Sequence, residues 1–377
     1  MEWQYDFINN FVKFGSFESD IKKNVHVVNT KNQYIPETLI KFYNPTFENL
    51  LDIKNKRLWM ADPSSFNDPF DCNIGYNYDE FEKYTIIRYI LNNGLKNEVA
   101  DLECFTQKDL GDIYNTYIPK SSKKQYSIKP WYWTTMQRIL SSKSERFQNE
   151  VRTILQDKKK KIDNIIKELK TTSVRISCFS GMQRWNSDVK KNLMWAHYAN
   201  NHQGFCVEYD ISSLRQETKY KYDYQNDIQF TEERREAAIK AGLFPIRYNN
   251  KRVNIPKTLL DELIEGGDEL NSSSKQKIKK VISRAFITKS TAWNYEKEWR
   301  IILDEHICKY YNYKIPFPYI KTIFIGCRAS NELERTLSEL GKELGVDVKR
   351  MREDKSNFDL YEGNLEIDYT LKKNPFI

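Results

Sequence analysis

The residues of this chain whose types and spacing could do chemistry fall in three separated segments, 62–71, 177–204 and 293–302. The last reads Trp293-Asn294-Tyr295-Glu296-Lys297-Glu298-Trp299-Arg300. In a strand over 296–303, alternate side chains share a face, so Glu296, Glu298 and Arg300 are expected to converge. Two carboxylates beside a guanidinium suit the stabilisation of a developing cation or the orientation of a sugar hydroxyl, with the Arg keeping the acids ionised. The bland reading is a solvated edge of Glu–Arg pairs. The flanking Trp293, Tyr295 and Trp299 speak against simple exposure.

In the middle segment, Trp195, His197 and Tyr198 fall on a short helix at 192–199, with His202 just after it. Trp195 and Tyr198 share a face and His197 turns away by about a quarter turn. His197 suits hydrogen bonding or acid–base work near neutral pH, or else a core histidine satisfied by a carboxylate. The chain has 4 His, and the spacing of His197 and His202 is wrong for zinc on a helix, so no metal is expected. In the first segment Pro63 and Pro69 stiffen a loop that carries Ser65, Asp68 and Asp71 between the anchors Phe66 and Phe70. Its polar groups serve either a ligand or the loop's own backbone.

The elements that must position these segments follow from periodicity. Strands are expected at 38–43, 57–61, 174–180, 204–210, 296–303, 320–326 and 346–351, with helices at 47–53 (capped by Thr46 or Asn44) and 331–345, the latter closed by Gly345. The last two strands with their helix make a βαβ unit, which favours parallel pairing. Helices are expected at 79–93, 97–118, 131–142, 143–170, 258–270 and 274–289. The fold class is therefore α+β (mixed α/β): a central mixed sheet with two helical insertions. The organisation is a lead-in at 1–37, a discontinuous core at 38–75 and 171–377, an inserted helical subdomain at 76–170, and a helical insertion at 211–290 within the core.

With 377 residues, 40% hydrophobic and 30% charged, the chain can bury a large core. The net charge of +8 favours a polyanionic partner, although runs such as Lys158–Lys161 also read as a solvated helix face. The 6 Cys form no CxxC pair and read as small buried hydrophobes of a reducing compartment. No secretory signal and no membrane-length apolar stretch is seen, so the cytoplasm is expected and no membrane partner.

The strings Ser64-Ser65-Phe66-Asn67-Asp68-Pro69-Phe70-Asp71, Met194-Trp195-Ala196-His197-Tyr198-Ala199 with Gly204, and Tyr295-Glu296-Lys297-Glu298-Trp299-Arg300, in that order, resemble a widespread bacterial family known chiefly as a domain of unknown function. The likeness covers roughly 38–72, 174–210 and 291–360. The order of elements is also similar to that of ADP-ribosyltransferases, which use a first strand with a polar residue, a Ser-bearing strand and a Glu-x-Glu strand. The counterparts here are Lys41 with Tyr43, Ser177 with Ser180, and Glu296 with Glu298. Lys41 stands where Arg or His is usual, and Ser-Cys-Phe-Ser where Ser-Thr-Ser is usual.

This second resemblance implies NAD as substrate. Glu298 would orient the nicotinamide ribose and stabilise an oxocarbenium-like transition state, while Glu296 helps choose the acceptor. Lys41, Tyr43, Ser65, Asp68, Ser177, Ser180, Tyr198 and Arg300 form the expected nucleotide-binding set, with His197 beside the two glutamates as a catalytic candidate. The activity implied is that of a transferase or glycohydrolase acting as a toxin or anti-phage effector, with a nucleic acid or protein as acceptor. Two other readings stand beside it. One is a nucleic-acid-binding or nuclease-like effector, resting on basic charge and aromatics. The other is a non-enzymatic sensor or scaffold whose motifs serve the fold.

Overall fold

The computed structural model describes residues 31–94, 145–171, 174–181, 191–215, 232–265, 271–363 and 365. The helices expected at 97–118 and 131–142, and most of the lead-in, lie outside these. In chain order the elements are β1 (Thr38–Tyr43), α1 (Phe47–Lys54), β2 (Arg57–Trp59), α2 (Tyr78–Gly94), α3 (Glu145–Thr171), β3 (Val174–Ser180), α4 (Lys191–Tyr198), β4 (Phe205–Asp210), α5 (Glu232–Gly242), β5 (Leu243–Pro245), β6 (Arg247–Asn249), α6 (Lys257–Glu265), α7 (Ser272–Phe286), β7 (Thr288–Ser290), β8 (Glu298–Asp304), α8 (Glu305–Tyr310), β9 (Lys314–Pro316), β10 (Ile320–Ile325), α9 (Asn331–Leu344), β11 (Asp347–Glu353) and β12 (Leu360–Gly363). Short 3-10 turns cover Pro63–Ser65, Ser212–Arg215 and Thr291–Glu296.

The chain divides into two compact units, one of residues 1–73, 170–252 and 283–377, the other of 74–169 and 253–282. The first is built on an eight-stranded sheet in the order β12-β11-β10-β4-β1-β3-β8-β5. Its neighbours pair antiparallel except β10 and β11, which run parallel with Thr322 opposite Asp347. That is the βαβ unit expected from the sequence. α9 supplies its crossover because Leu333, Leu337 and Leu340 form a buried stripe, Ser330 caps its start and Gly345 closes it at φ +69°. The sequence reading of 211–290 as helical holds for α5, α6 and α7 but misses β5, an edge strand of the main sheet, and β6, which pairs with β7. Three-residue strands are too short to show a period.

Alternation divides the sheet cleanly. Leu39, Tyr43, Phe179, Val207, Ile301 and Ile323 pack into the larger core on one face. Ile40, Cys206, Phe324 and Met351 face the other way, against Trp195 and Ala199 of the α4 segment. In the second unit, Ile162 and Ile166 of α3 are buried one turn apart, as are Leu259 and Leu263 of α6. Lys158 Nζ caps the end of α6 through the Ile264 carbonyl at 2.8 Å, and Lys257 lies 4.9 Å over the Tyr84 ring. Among the described residues no helix is long and apolar enough to cross a membrane.

The chain leaves α4 through Asn200, Asn201 and His202, all at positive φ, and enters β4 at Gly204. A Cβ on Gly204 would stand 2.2 Å from the Tyr43 carbonyl oxygen and 3.0 Å from that of Ala199, both backbone atoms. Gly204→Ala is therefore expected to destabilise the first unit by about 1–3 kcal/mol, as overpacking does. Urea denaturation reads this directly, and an unchanged midpoint would mean that β1 and β4 can separate without cost.

Candidate functional site

Arg300 organises the site. It lies on β8, the strand next to the sheet edge, between β3 and β5, and is fully buried. Nε donates to Glu298 Oε1 at 2.6 Å, two residues away on the same strand face. Nη2 donates to Asp71 Oδ2 at 2.7 Å and to Glu298 Oε2 at 3.2 Å. Nη1 meets the Phe286 carbonyl at 2.9 Å and Cys72 Sγ at 3.0 Å. The Phe66 ring lies 5.4 Å from the guanidinium carbon. One side chain thus joins β8, the 62–71 loop and the end of α7.

Lys289 of β7 brings in the second glutamate. Its Nζ stands 2.6 Å from Glu296 Oε2, 3.0 Å from Glu298 Oε2 and 3.6 Å from Asp71 Oδ2, and 4.9 Å over the Trp293 ring. Tyr198 donates its hydroxyl to Glu296 Oε1 at 2.6 Å, and Ser180 Oγ donates to the Glu296 carbonyl at 2.6 Å. Glu296 does not belong to the strand, contrary to the expectation from alternation. It ends the 3-10 turn Thr291–Glu296, and Lys297 follows with φ +46°, so the chain reverses hand before β8 starts at Glu298. The carboxylates still converge, through Lys289 rather than through strand register.

The two acids are driven apart in proton affinity. Burial alone would raise the Glu298 carboxyl, but Arg300 and Lys289 outweigh it and hold it well below the ordinary carboxylate range. Glu296 is pushed up to about 7, first by burial and then by the charge of Glu298, against the pull of Lys289 and Tyr198. Burial works against the charge on Lys289, yet the glutamates raise its pKa and keep it an ammonium. Burial beside Glu296 raises the Tyr198 phenol, so it stays a donor.

These groups open on a cavity of about 500 Å³. Lys41, Asn44, Ser65, Asn67, Asp71, Cys178, Ser180, Tyr198, Lys289, Glu296 and Glu298 supply its polar lining, with Phe42, Trp59, Phe66, Phe179 and Met194 among its apolar walls. β1 and β3 pair at a single position, Ile40 with Ser180, and beyond it the outer edge of β3 is met by Ala61 opposite Ile176. Lys41 Nζ donates to the Cys178 carbonyl at 3.0 Å, a group that continued pairing with β1 would have satisfied. Burial lowers the Lys41 pKa, with Cys178 and Glu298 pulling the other way.

Of the residues singled out from the sequence, Lys41, Ser65, Ser180, Tyr198, Glu296 and Glu298 line this cavity. The others stand elsewhere. Tyr43 faces the larger core, its hydroxyl 2.6 Å from that of Tyr209. Ser177 is one residue out of phase with Cys178 and Ser180, and so is buried on the far face of the sheet, opposite Ile301. Asp68 holds the loop together: its carboxylate accepts from Phe70 N at 2.8 Å and from Trp293 Nε1 at 2.8 Å. Arg300 lies behind Glu298, outside the lining. His197 is exposed, 6.2 Å from the Trp293 ring, and takes no part in the lining.

Sequence reasoning passed over Lys289 and, within a loop it had marked, took Asp68 ahead of Asp71. Among the described residues no group of three or more His, Cys, Asp or Glu side chains forms a metal site. The positive charge among the acids comes from Lys289 and Arg300.

Residues 194–301 match a family described as "Protein of unknown function (DUF2971)". The match takes in the Met194–Ala199 and Tyr295–Arg300 strings and leaves out the 62–71 loop. Comparison with curated proteins and with solved structures gives no significant match.

Two stability experiments probe the charge cluster. Arg300→Met leaves Glu298 and Asp71 short of their buried partner, and a loss of about 3–5 kcal/mol is expected in denaturant titration. A loss near zero would show that Lys289 alone satisfies both acids. For Glu296 the folded carboxyl titrates above its ordinary 4.5, so its contribution to stability is complete below about pH 4.5 and is lost as pH rises through about 7. Glu296→Gln should therefore show a smaller drop in urea midpoint between pH 5 and pH 8 than the parent protein. An equal drop would assign the titration to another group.

Proposed function

We propose that this protein consumes NAD, as an ADP-ribosyltransferase or NAD glycohydrolase, with Glu298 and Glu296 as its reacting carboxylates. The observation that carries this reading is the order of strands. β1, β3 and β8 are consecutive in the sheet, with Ile40 opposite Ser180 and Ser180 opposite Glu298. Lys41, Ser180 and Glu298 from these strands all line one cavity with aromatic walls. That is the set and order of strands on which the resemblance to ADP-ribosyltransferases rests.

The chemistry asks for a fixed negative charge. When the bond from the ribose C1′ to the nicotinamide nitrogen breaks, its electron pair goes to the nitrogen, and positive charge develops on C1′ and the ring oxygen. Glu298 is held ionised by Arg300 and Lys289 on the wall of the cavity, so it can stabilise that charge without reorganising. An acceptor hydroxyl then bonds to C1′: water in a glycohydrolase, a protein or nucleic acid group in a transferase. Its proton passes to Glu296, whose proton affinity near neutrality suits a general base that returns the proton to solvent. Lys41 offers its ammonium to the diphosphate, and Ser65 and Ser180 offer hydroxyls to the sugar. Depletion of NAD by such an enzyme fits a toxin or anti-phage effector.

Arg300 and Asp71 support the reacting groups from behind or beside them. The test is release of nicotinamide from NAD, with labelled transfer to added protein and nucleic acid measured in parallel. Glu298→Gln is expected to lower turnover by about 10²–10³-fold, the scale of losing one preorganised charge at the reacting centre, while its circular dichroism stays that of the parent protein. If the parent protein neither releases nicotinamide nor transfers label with these acceptors present, the reading fails.

A further inference from the structure

Trp59 is a large side chain that the fold does not bury. It ends the three-residue strand β2, where Leu58 points inward and Trp59 remains 48% exposed. Its ring meets Tyr313 edge-on at 6.3 Å between centroids, and it also lines the cavity that holds Glu296 and Glu298.

Strand register locates it along that cavity. Ser180 and Glu298 are level with Ile40 of β1. Ala61, two residues after Trp59, is level with Ile176, four residues back along β3, and Asn44, another lining residue, is four residues on from Ile40 along the other side of the split. Asn44 thus stands roughly 13 Å along the strands from the level of the carboxylates, while Trp59, which the same antiparallel register sets level with Cys178, stands roughly 7 Å along them and about 10 Å, two strand spacings, across. The Asn44 backbone is fixed, its carbonyl accepting from Thr46 N at 2.8 Å and Asn49 Nδ2 at 2.9 Å. Its side-chain amide makes no hydrogen bond among the described residues and lies exposed at the cavity.

We infer that Trp59 and Asn44 form an adenine subsite on the side of the cavity across β3 from Glu298, with Trp59 stacking on the base and Asn44 reading its edge. A half-exposed indole presents a flat apolar surface that stacks on any base, and an asparagine amide pairs its donor and acceptor with the 6-amino group and N7 of adenine. The separation from the carboxylates calls for a ligand of dinucleotide length, with the base at one end and the reacting sugar at the other. The choice of NAD as that ligand rests on the reading above; the recognition of an adenine nucleotide does not.

Calorimetry on the full chain tests this with three probes that cannot be consumed: ADP-ribose, its hypoxanthine counterpart and ribose 5-phosphate. ADP-ribose is expected to bind, ribose 5-phosphate to bind far more weakly. Trp59→Ala should weaken ADP-ribose about tenfold to a hundredfold, the scale of one lost base–aromatic stack, while Trp59→Phe retains most of the affinity. The hypoxanthine analogue should bind more weakly than ADP-ribose to the parent protein and equally with it to Asn44→Ala. Quenching of tryptophan fluorescence by ADP should be lost in Trp59→Phe, which guards against a Trp59→Ala chain that fails to fold.

The subsite is overturned if ADP-ribose does not bind the parent protein, if Trp59→Ala binds it as tightly, or if ribose 5-phosphate binds equally well. Its failure is separable from that of the reaction. Trp59-dependent binding in a protein that releases no nicotinamide keeps the subsite and removes the chemistry. Nicotinamide release with Trp59-independent binding does the reverse.

Discussion

A guanidinium with no exposure to water is the constraint from which the rest of the site follows. Arg300 has five N–H donors in a fixed plane, and each has an acceptor: Glu298 at Nε, the Phe286 carbonyl and Cys72 at Nη1, Asp71 and Glu298 at Nη2. Taking such a cation out of water costs several kcal/mol, recovered only where geometry and hydrogen bonding are complete. A lysine could not do this, because a point charge on a flexible stem cannot bridge acceptors lying in one plane. Strand β8, the 62–71 loop and the chain leaving α7 are therefore tied to one another, and loosening any of them strands a buried charge.

That arrangement fixes the electrostatics of the cavity wall. Glu298 touches both Arg300 and Lys289, while the Glu296 carboxylate, among the described residues, pairs with Lys289 and a neutral phenol. Two carboxylates drawn to one ammonium cannot share it equally, so the one with the second cation ionises first and its charge holds the other back. Opposite proton affinities a few ångströms apart give one permanent anion and one exchangeable proton, the pair that acid–base chemistry at a sugar carbon needs. The same charges give Lys289 a structural role, since Arg300 pairs with Glu298 and Asp71, and it is Lys289 that sets a cation between Glu296 and these two acids.

How far this was legible in the sequence depends on whether a residue's role is set locally. The pairing of Glu298 with Arg300 follows from strand alternation alone, and the parallel β10–β11 pair follows from the apolar stripe of α9 and the glycine that ends it. Glu296 meets Glu298 by a route that strand alternation does not give, because nothing in Tyr295-Glu296-Lys297 announces a left-handed lysine. Ser177 and Ser180, three apart on one strand, fall on opposite faces by alternation alone, and only the register of β3 against β8 tells which of them meets Glu298. Lys289 carries no signal of its own: it is one of 60 Lys and Arg, in a three-residue strand after a basic helix. Asp68 and Asp71 bracket the same Pro-Phe step, and only the long-range partners, Trp293 for one and Arg300 for the other, tell them apart.

The cavity itself arises from a fault in the sheet. β1 runs the length of β4 in continuous register, six pairs from Thr38–Asp210 to Tyr43–Phe205, yet touches β3 at one pair only. A sheet that opens this way leaves backbone groups without ladder partners, and each must be met by something else. Ala61 meets Ile176 through reciprocal bonds of 2.8 and 2.9 Å, and the Lys41 ammonium meets the Cys178 carbonyl. Lys41 is thus held at the opening because the split needs a donor there. Lys41 and Glu298, two groups of opposite charge, consequently line one cavity, Lys41 fixed by a backbone carbonyl and Glu298 by Arg300 and Lys289 rather than by each other. A ligand with an anionic middle and a cation-forming end would find both charges already in position.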